Sequence, residues 1–265
     1  MPPTRIEDAA RLVALRRSAF LLTPWVALVL LWYVVAWSGV VNPGLVPAPH
    51  QVAARFWNLL AHDTLGLDIL ISAWRVVIGV ALGILLAVPV GFAIGWYRQV
   101  RSFVDPLINF FRALPPIALI PLVIVYFGIG EIAKIVILFY AAFFAGVIVM
   151  YEGISQTSPI FVRVARTLGA TDVEIFRKVI VPLAVPHILT ALRVALGVAW
   201  ATLVASELIA ARQGLGAVIQ NASSFFQLDT IYVGIICIGF IALAMDVLLR
   251  AMARRLVSWQ ERITP

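Results

Sequence analysis

Residues 163–182 read RVARTLGATDVEIFRKVIVP and lie between two strongly apolar runs of a 265-residue chain. A plain polar connector needs no pattern, but this segment has one. Val164, Leu168, Ile175 and Val179 recur at roughly helical spacing, with Arg163, Arg166, Arg177 and Lys178 among the polar positions. Gly169 and Ala170 interrupt the first helical run, and Thr171 or Asp172 supplies an N-cap for the next. The spacing therefore predicts two short amphipathic helices meeting at Gly169, a compact knob on the surface of whatever the flanking apolar runs are buried in.

Those runs are buried in a membrane. Hydrophobic residues make up 63% of the chain and charged residues 12%, outside the range of water-soluble domains. Six apolar segments stand out, at about 20–40, 69–97, 106–127, 132–150, 187–209 and 231–252. Each approaches or exceeds the roughly 20 residues a helix needs to cross the hydrocarbon core. The expected fold class is an all-α polytopic membrane protein with six transmembrane helices, residues 1–265 forming one transmembrane domain. A cleaved signal peptide competes for the first segment, but an apolar run of about 21 residues is too long for its hydrophobic core. It reads as a retained span.

Lysine and arginine set the orientation. With a cytoplasmic N-terminus, the inner segments hold Arg5, Arg11, Arg16, Arg17, Arg98, Arg101, Arg163, Arg166, Arg177, Lys178, Arg250, Arg254, Arg255 and Arg262. The outer loops hold only Arg55, Lys134 and Arg212. The asymmetry places both termini and the 163–182 knob in the cytoplasm. It also accounts for the net charge of +7 without any nucleic-acid partner. In the first outer loop, Pro47 and Pro49 precede residues 50–62, where Val52, Phe56, Leu59 and Leu60 form an apolar face suited to the outer membrane surface. A contact with an external receptor is a second use for that helix.

Within the spans, Gly79, Gly83, Ala87, Gly91 and Gly95 recur every four residues, and Ala191, Ala195 and Ala199 repeat the pattern later. Such stripes let helices approach closely where lipid supplies little driving force. Packing inside one subunit and a homodimer seam both fit. Pro89 should bend the second span, and Arg112-Ala113-Leu114-Pro115-Pro116 followed by Pro121 disrupts the helical ladder of the third. Backbone groups freed there must face protein or a water-filled path.

Ionisable groups inside spans are costly. Arg75 and Glu207 fall near the outer ends of their helices, and Arg112, Arg193 and Asp246 nearer the inner ends. Snorkelling or mutual pairing is the ordinary explanation. Arg75, Arg112 and Glu207 are also candidates for contact with an anionic or zwitterionic solute, although Glu207 could instead anchor the 214–216 loop. His50, His62 and His187 are too scattered for a metal site, and Cys237 lies in an apolar run as a small buried hydrophobe. No catalytic set converges, and no P-loop is present to bind a nucleotide.

The knob resembles the Glu-Ala-Ala loop of ATP-binding-cassette importer permeases. Arg163-Val164-Ala165, Gly169, Val179, Val181 and Pro182 fall on that motif's spacing, with Arg163 and Val164 departing from its first Glu and Ala. Two further stretches are similar to the permeases of taurine, alkanesulfonate and nitrate importers. One is Pro115-Pro116-Ile117-Ala118-Leu119-Ile120-Pro121-Leu122 with Phe127-Gly128-Ile129-Gly130-Glu131. The other is Thr202 to Ala211 with Gly214-Leu215-Gly216. The likeness covers about residues 43–260, and its end, Arg254-Arg255-Leu256 to Trp259, is similar to the taurine branch in particular.

The resemblance implies a type I importer fold: two copies of the permease, two cytoplasmic ATPases carrying ATP and Mg, and an external solute-binding protein, in a bacterial inner membrane. It implies that residues 159–182 couple to the ATPase through Arg163, Ala165, Arg166, Leu168, Gly169, Ala170, Asp172, Glu174, Phe176 and Pro182. The candidate translocation path comprises Arg75, Arg112, Pro115, Pro116, Ser206 and Glu207. The expected solute is taurine or another sulfonate. Nitrate, bicarbonate or an aromatic acid is the alternative within the class, and a secondary carrier without an ATPase is the alternative outside it.

Overall fold

The computed structural model describes residues 23–38 and 44–257. The arginines at 5, 11, 16 and 17, Arg262 and Trp259 lie outside them, as do both ends of the first expected span. Every regular element among the described residues is helical: α1 (Thr23–Trp37), α2 (Pro49–His62), α3 (Leu65–Trp96), α4 (Arg98–Ala113), α5 (Pro116–Phe127), α6 (Glu131–Ser155), α7 (Pro159–Thr167), α8 (Asp172–Ile175), a π-helical turn (Phe176–Ile180), α9 (Val181–Ala210), α10 (Leu215–Ser224) and α11 (Leu228–Leu256).

Contacts divide the chain into two units. One comprises the described residues up to Asp63 together with Ala222–Val233, and the other Thr64–Asn221 with the described residues from Gly234 onward. In the first, the Trp32 indole donates to Pro47 O at 3.1 Å and stacks on Tyr232 at 5.5 Å. Helix α2 starts on Pro49 because its missing N–H is not needed there, and the Gln51 side chain accepts from the Ala48 N–H. Val52 and Leu59 are buried as the periodicity predicts, whereas Leu60 faces outward. Arg55 ties α2 to the start of α11 through Thr230 Oγ1 at 2.9 Å.

The second unit is built on α3, α6 and α9. A Cβ on Gly79, Gly83, Gly91 or Gly95 would meet Leu138, Ala142, Met150 or Ile154 respectively. The register is constant turn after turn, so α3 and α6 run in the same direction. In the middle layer the small residues face each other, Gly146 against Ala87. The glycine stripe of α3 is therefore packing within one subunit. Helix α9 runs the opposite way, with Gly153 of α6 against His187 near its start. Ala191, Ala195 and Ala199 are fully buried in the same core as Val76, Leu138, Met150 and Leu203. Cys237 is a buried thiol, as its apolar setting predicts.

Helices α3, α6, α9 and α11 are each long and apolar enough to cross a membrane. The third expected span departs from a single helix. Residues 98–127 form α4 and α5, bent by 91° at Leu114. Proline disfavours helical geometry in the preceding residue, and Leu114 is extended at φ −77°, ψ 117° ahead of the Pro115-Pro116 pair. Helix α5 alone has 12 residues, about 18 Å of helix, so it spans only together with α4. By contrast, α3 continues through Pro89. Helix α9 begins at Val181, six residues before the apolar run suggests, because Pro182 occupies its first turn where proline is tolerated.

Candidate functional site

The knob and a charged cluster occupy opposite ends of the second unit. In the knob, the Ser158 hydroxyl accepts from the Ile160 N–H and Pro159 opens α7. The helix ends on Gly169, whose φ of +81° is left-handed. The Gly169 N–H donates to Arg166 O at 3.0 Å and the Ala170 N–H to Ala165 O at 3.1 Å, the paired bonds of a Schellman ending. The next helix starts at once. The Thr171 hydroxyl accepts from the Glu174 N–H, while the Glu174 carboxylate accepts from the Thr171 N–H at 3.1 Å, a reciprocal cap. Arg166 pairs with Asp172 at 3.2 Å across the turn, and Lys178 with Glu174 at 3.1 Å.

The knob is rooted in the core by Ile175 and Ile180, both buried, and by Phe176, which packs edge-on against Phe92 at 5.5 Å and Trp96 at 6.2 Å. Val162 and Ala165 of α7 also pack inward. Val164 and Leu168 do not; Leu168 is 81% exposed. The helical period does not carry through Gly169, because the Schellman turn resets the phase between α7 and α8. Ile160, Phe161, Val164, Leu168 and Val173 consequently form an exposed apolar surface beside Arg163 and Arg166. Gly169 has open space around it, so its glycine is required by backbone conformation and not by packing. Pro182 sits behind the knob at the start of α9.

The charged cluster gathers α3, α6, α9 and the loop before α10. Arg75 is 2% exposed and every nitrogen of its guanidinium donates a hydrogen bond. Nε and Nη2 donate to the two oxygens of Glu131 at 2.6 Å each, and Nη1 donates to Glu207 Oε1 at 2.6 Å and Gln213 O at 2.8 Å. Glu207 Oε1 also accepts from the Ser72 hydroxyl at 2.9 Å, and Oε2 from the Gly216 N–H at 2.8 Å. Asp68 accepts from the Gly214 N–H at 2.7 Å, and Ser72 Oγ from the Leu215 N–H at 2.9 Å. Three successive loop amides at the start of α10 are thus held by three side chains. Gly214 has φ +117°, and a Cβ there would lie 2.4 Å from Glu207 Oε1. Lys134 completes the cluster, donating to Glu131 Oε1 at 3.0 Å.

Of the six path candidates, the structure brings Arg75 and Glu207 together as one buried pair, with Glu207 anchoring the 214–216 loop. Ser206 is buried and its hydroxyl donates to Leu203 O at 2.8 Å in its own helix. Pro115 and Pro116 form the α4–α5 bend. Arg112 is exposed and has no ion-pair partner among the described residues. Arg193 and Asp246 pair with each other at 2.6 Å, and Arg250 joins Asp246 at 2.7 Å.

Sequence reasoning overlooked Asp68 and Ser72, and gave Glu131 and Lys134 no role in a site. The signal was present: Asp68, Ser72 and Arg75 make one polar stripe at helical spacing on an otherwise apolar helix, and Glu131 and Lys134 share a face of α6 one turn apart.

Long apolar helices packed through glycines, a broken span, and a short-helix knob at one end define an α-helical membrane transport component. The chain belongs to the family of binding-protein-dependent transport system inner membrane components, whose profile matches residues 79–259. It is a permease of the ATP-binding-cassette importers. A probable ABC transporter permease protein of Brucella abortus (strain 2308) is 47% identical over 87% of this chain and 91% of its own length. The taurine transport system permease protein of Escherichia coli (strain K12) is 36% identical over 89% and 88%. The nitrate import permease protein of Synechococcus elongatus is 29% identical over 88% and 85%. In fold, the chain is similar to one from the methionine ABC transporter in an inward-facing conformation, with a TM-score of 0.64 at 19% identity over 73% of this chain and 96% of that one. That likeness establishes the type I importer-permease fold.

Proposed function

We propose that this chain forms the membrane path of an importer for taurine or a related small sulfonate. The observation that carries the solute class is the 36% identity to a taurine permease along almost the whole chain. The nitrate relative, at 29%, supports a second reading with nitrate as the solute. Family membership weighs against a secondary carrier, since binding-protein-dependent systems draw on ATP.

In this reading residues 1–265 are one permease domain in a bacterial inner membrane, with both termini cytoplasmic. Two copies pair around a two-fold axis. Residues 159–182 dock into a cytoplasmic ATPase that carries ATP and Mg, and a binding protein delivers solute from outside. The knob suits docking in two respects. Its exposed apolar residues beside Arg163 and Arg166 offer a contact surface, and Ile175, Phe176 and Ile180 connect that surface rigidly to α3 and α9. Closure of the ATPase dimer would move the knob and turn the pair from inward- to outward-facing.

Uptake of labelled taurine, ethanesulfonate and nitrate by proteoliposomes holding the complete system tests the reading. Sulfonate uptake that requires ATP supports it. Uptake of nitrate with no sulfonate overturns the solute class, and a purified assembly with one copy of this chain beside a different permease overturns the homodimer.

A further inference from the structure

Beside the charged cluster lies a cleft between α5 and the α6–α9 pair. Its polar members are Lys134 and Ser206, and Ile120, Val123, Ile124 and Ile137 line much of the rest. Lys134 is 6% exposed. Its ammonium has three N–H donors, and Glu131 is the one acceptor it meets among the described residues. A buried cation with unused donors is unfavourable unless something else satisfies it. The Ser206 hydroxyl is bonded within its own helix, a bond it can exchange for a better acceptor.

We infer that this cleft is a solute site of the permease itself, taking a short zwitterionic sulfonate with its anionic head on Lys134 Nζ and Ser206 Oγ and its carbon chain against Ile120, Val123 and Ile124. The inference rests on the sulfonate reading above and deepens it. The apolar walls favour a solute with methylene groups over a bare inorganic anion. Glu131, whose side chain is 58% exposed, shares the Lys134 ammonium. It repels a simple anion and attracts the ammonium of a zwitterion, so an amino-sulfonate fits better than a plain alkanesulfonate.

In the present conformation the cleft has room for about one water molecule. Helix α5 is the wall able to move. It is a short element between two non-helical joints, Leu114-Pro115 on one side and Gly128 at φ +75° on the other. Outward rotation of α5 about those joints opens the site by withdrawing Ile120 from the core it shares with α3, α6 and α9.

The test uses the full-length chain in lipid nanodiscs, with no binding protein present, and saturation-transfer NMR on the methylene protons of taurine and ethanesulfonate. The expected result is a taurine signal stronger than that of ethanesulfonate, reduced at least about tenfold in Lys134→Gln and unchanged in Arg98→Gln, a change at an exposed arginine of α4. Ile124→Trp fills the apolar wall while leaving the Lys134–Glu131 pair intact, and is expected to abolish the signal even if Lys134→Gln fails to fold. No signal from the parent chain, or equal taurine signals from the parent and Ile124→Trp, overturns the site. So does nitrate competing for taurine as well as ethanesulfonate does. Taurine uptake by the complete system with no binding in the cleft overturns this site alone. Failure of all sulfonate uptake overturns the reading on which it rests.

Discussion

Arg75 and Glu207 stand 132 positions apart in the chain and meet at 2.6 Å with both side chains almost wholly removed from solvent. Two charges in so apolar a setting are tolerable because each is satisfied several times over. Arg75 has Glu131 and the Gln213 carbonyl as well, and Glu207 has Ser72 and the Gly216 amide. The pair binds α3 to α9 and fixes the loop that enters α10.

Breaking the pair from one side should therefore be worse than removing both charges. Glu207→Leu leaves Arg75 with half its carboxylate partners and the Gly216 amide unanswered, a loss of about 3–5 kcal/mol for a buried pair. Arg75→Met combined with Glu207→Leu should recover part of that loss. Thermal unfolding of the purified permease in detergent measures both. A double variant less stable than either single one would show that the pair is not the unit of stability.

Gly214 and Gly169 make a second contrast, since both have positive φ but only one is crowded. At Gly214 a methyl group would collide with Glu207 Oε1 and with Arg75 Nη1, at 2.4 and 2.7 Å, so Gly214→Ala should disrupt the cluster and sharply lower folded yield. At Gly169 nothing lies within 4 Å, and alanine there meets only the left-handed backbone, about 1–2 kcal/mol. Comparable losses of folded yield at the two positions would contradict the distinction.

The stripe on α3 supplies a third test. A Cβ at Gly83 would lie 2.6 Å from Ala142 Cβ and 2.9 Å from the Phe143 amide nitrogen, so the backbone itself blocks anything larger. Gly83→Leu should abolish accumulation of folded protein, and Gly239→Ala, with open space around it, should be silent. Membrane abundance by immunoblot and monodispersity by size exclusion read the outcome.

Much of this was legible in the sequence, for reasons particular to each element. Strong hydropathy marks α3, α6, α9 and α11, and four-residue glycine spacing marks the α3–α6 contact. It could not name the partner helix, because a stripe shows that something approaches and not what. Gly169 with Thr171 and Glu174 announces two helices through local bonds that depend on no tertiary contact. The phase of α7 relative to α8 was hidden, since a left-handed residue resets it. The charged cluster was half legible: Arg75 and Glu207 stood out as charges, but their meeting depends on helices distant in sequence. Glu131 was read as part of a motif when it is a partner of Arg75. The 91° bend of α4 on α5 was announced by Pro115-Pro116, although not its extent.

A fourth expectation concerns the knob. If residues 159–182 dock into the ATPase, the exposed apolar residues of α7 contribute to that contact and not to the fold, since Leu168 is 81% exposed. Leu168→Ser should leave thermal stability within about 0.5 kcal/mol while reducing recovery of the ATPase with the tagged permease. Gly169→Leu should also reduce that recovery, through backbone strain that costs about 1–2 kcal/mol of stability, and Gly169→Asn, tolerant of the left-handed region, should retain it. Full recovery of the ATPase with both Leu168→Ser and Gly169→Leu would remove the knob from the docking surface.

The last expectation separates Arg112 from the other membrane-embedded charges. Arg75, Arg193, Glu207 and Asp246 all have partners in the structure, so neutralising them disturbs the fold before it can report on a solute. Arg112 is exposed at the end of α4, two residues ahead of the Leu114 bend, and has no ion-pair partner among the described residues. An exposed cation there can meet solute on its route, lipid headgroups or a neighbouring subunit. Arg112→Gln should leave stability unchanged to within about 0.5 kcal/mol and, in the homodimer proposed above, leave assembly intact. If the residue faces the path, uptake of an anionic sulfonate should fall several-fold with maximal ATP hydrolysis preserved, and Arg112→Lys should restore part of it. Uptake in proteoliposomes of neutral lipid, beside the same measurement in anionic lipid, separates the path from the headgroups: a defect seen only with anionic lipid places Arg112 at the membrane surface. Unchanged uptake in both lipids would remove Arg112 from the route.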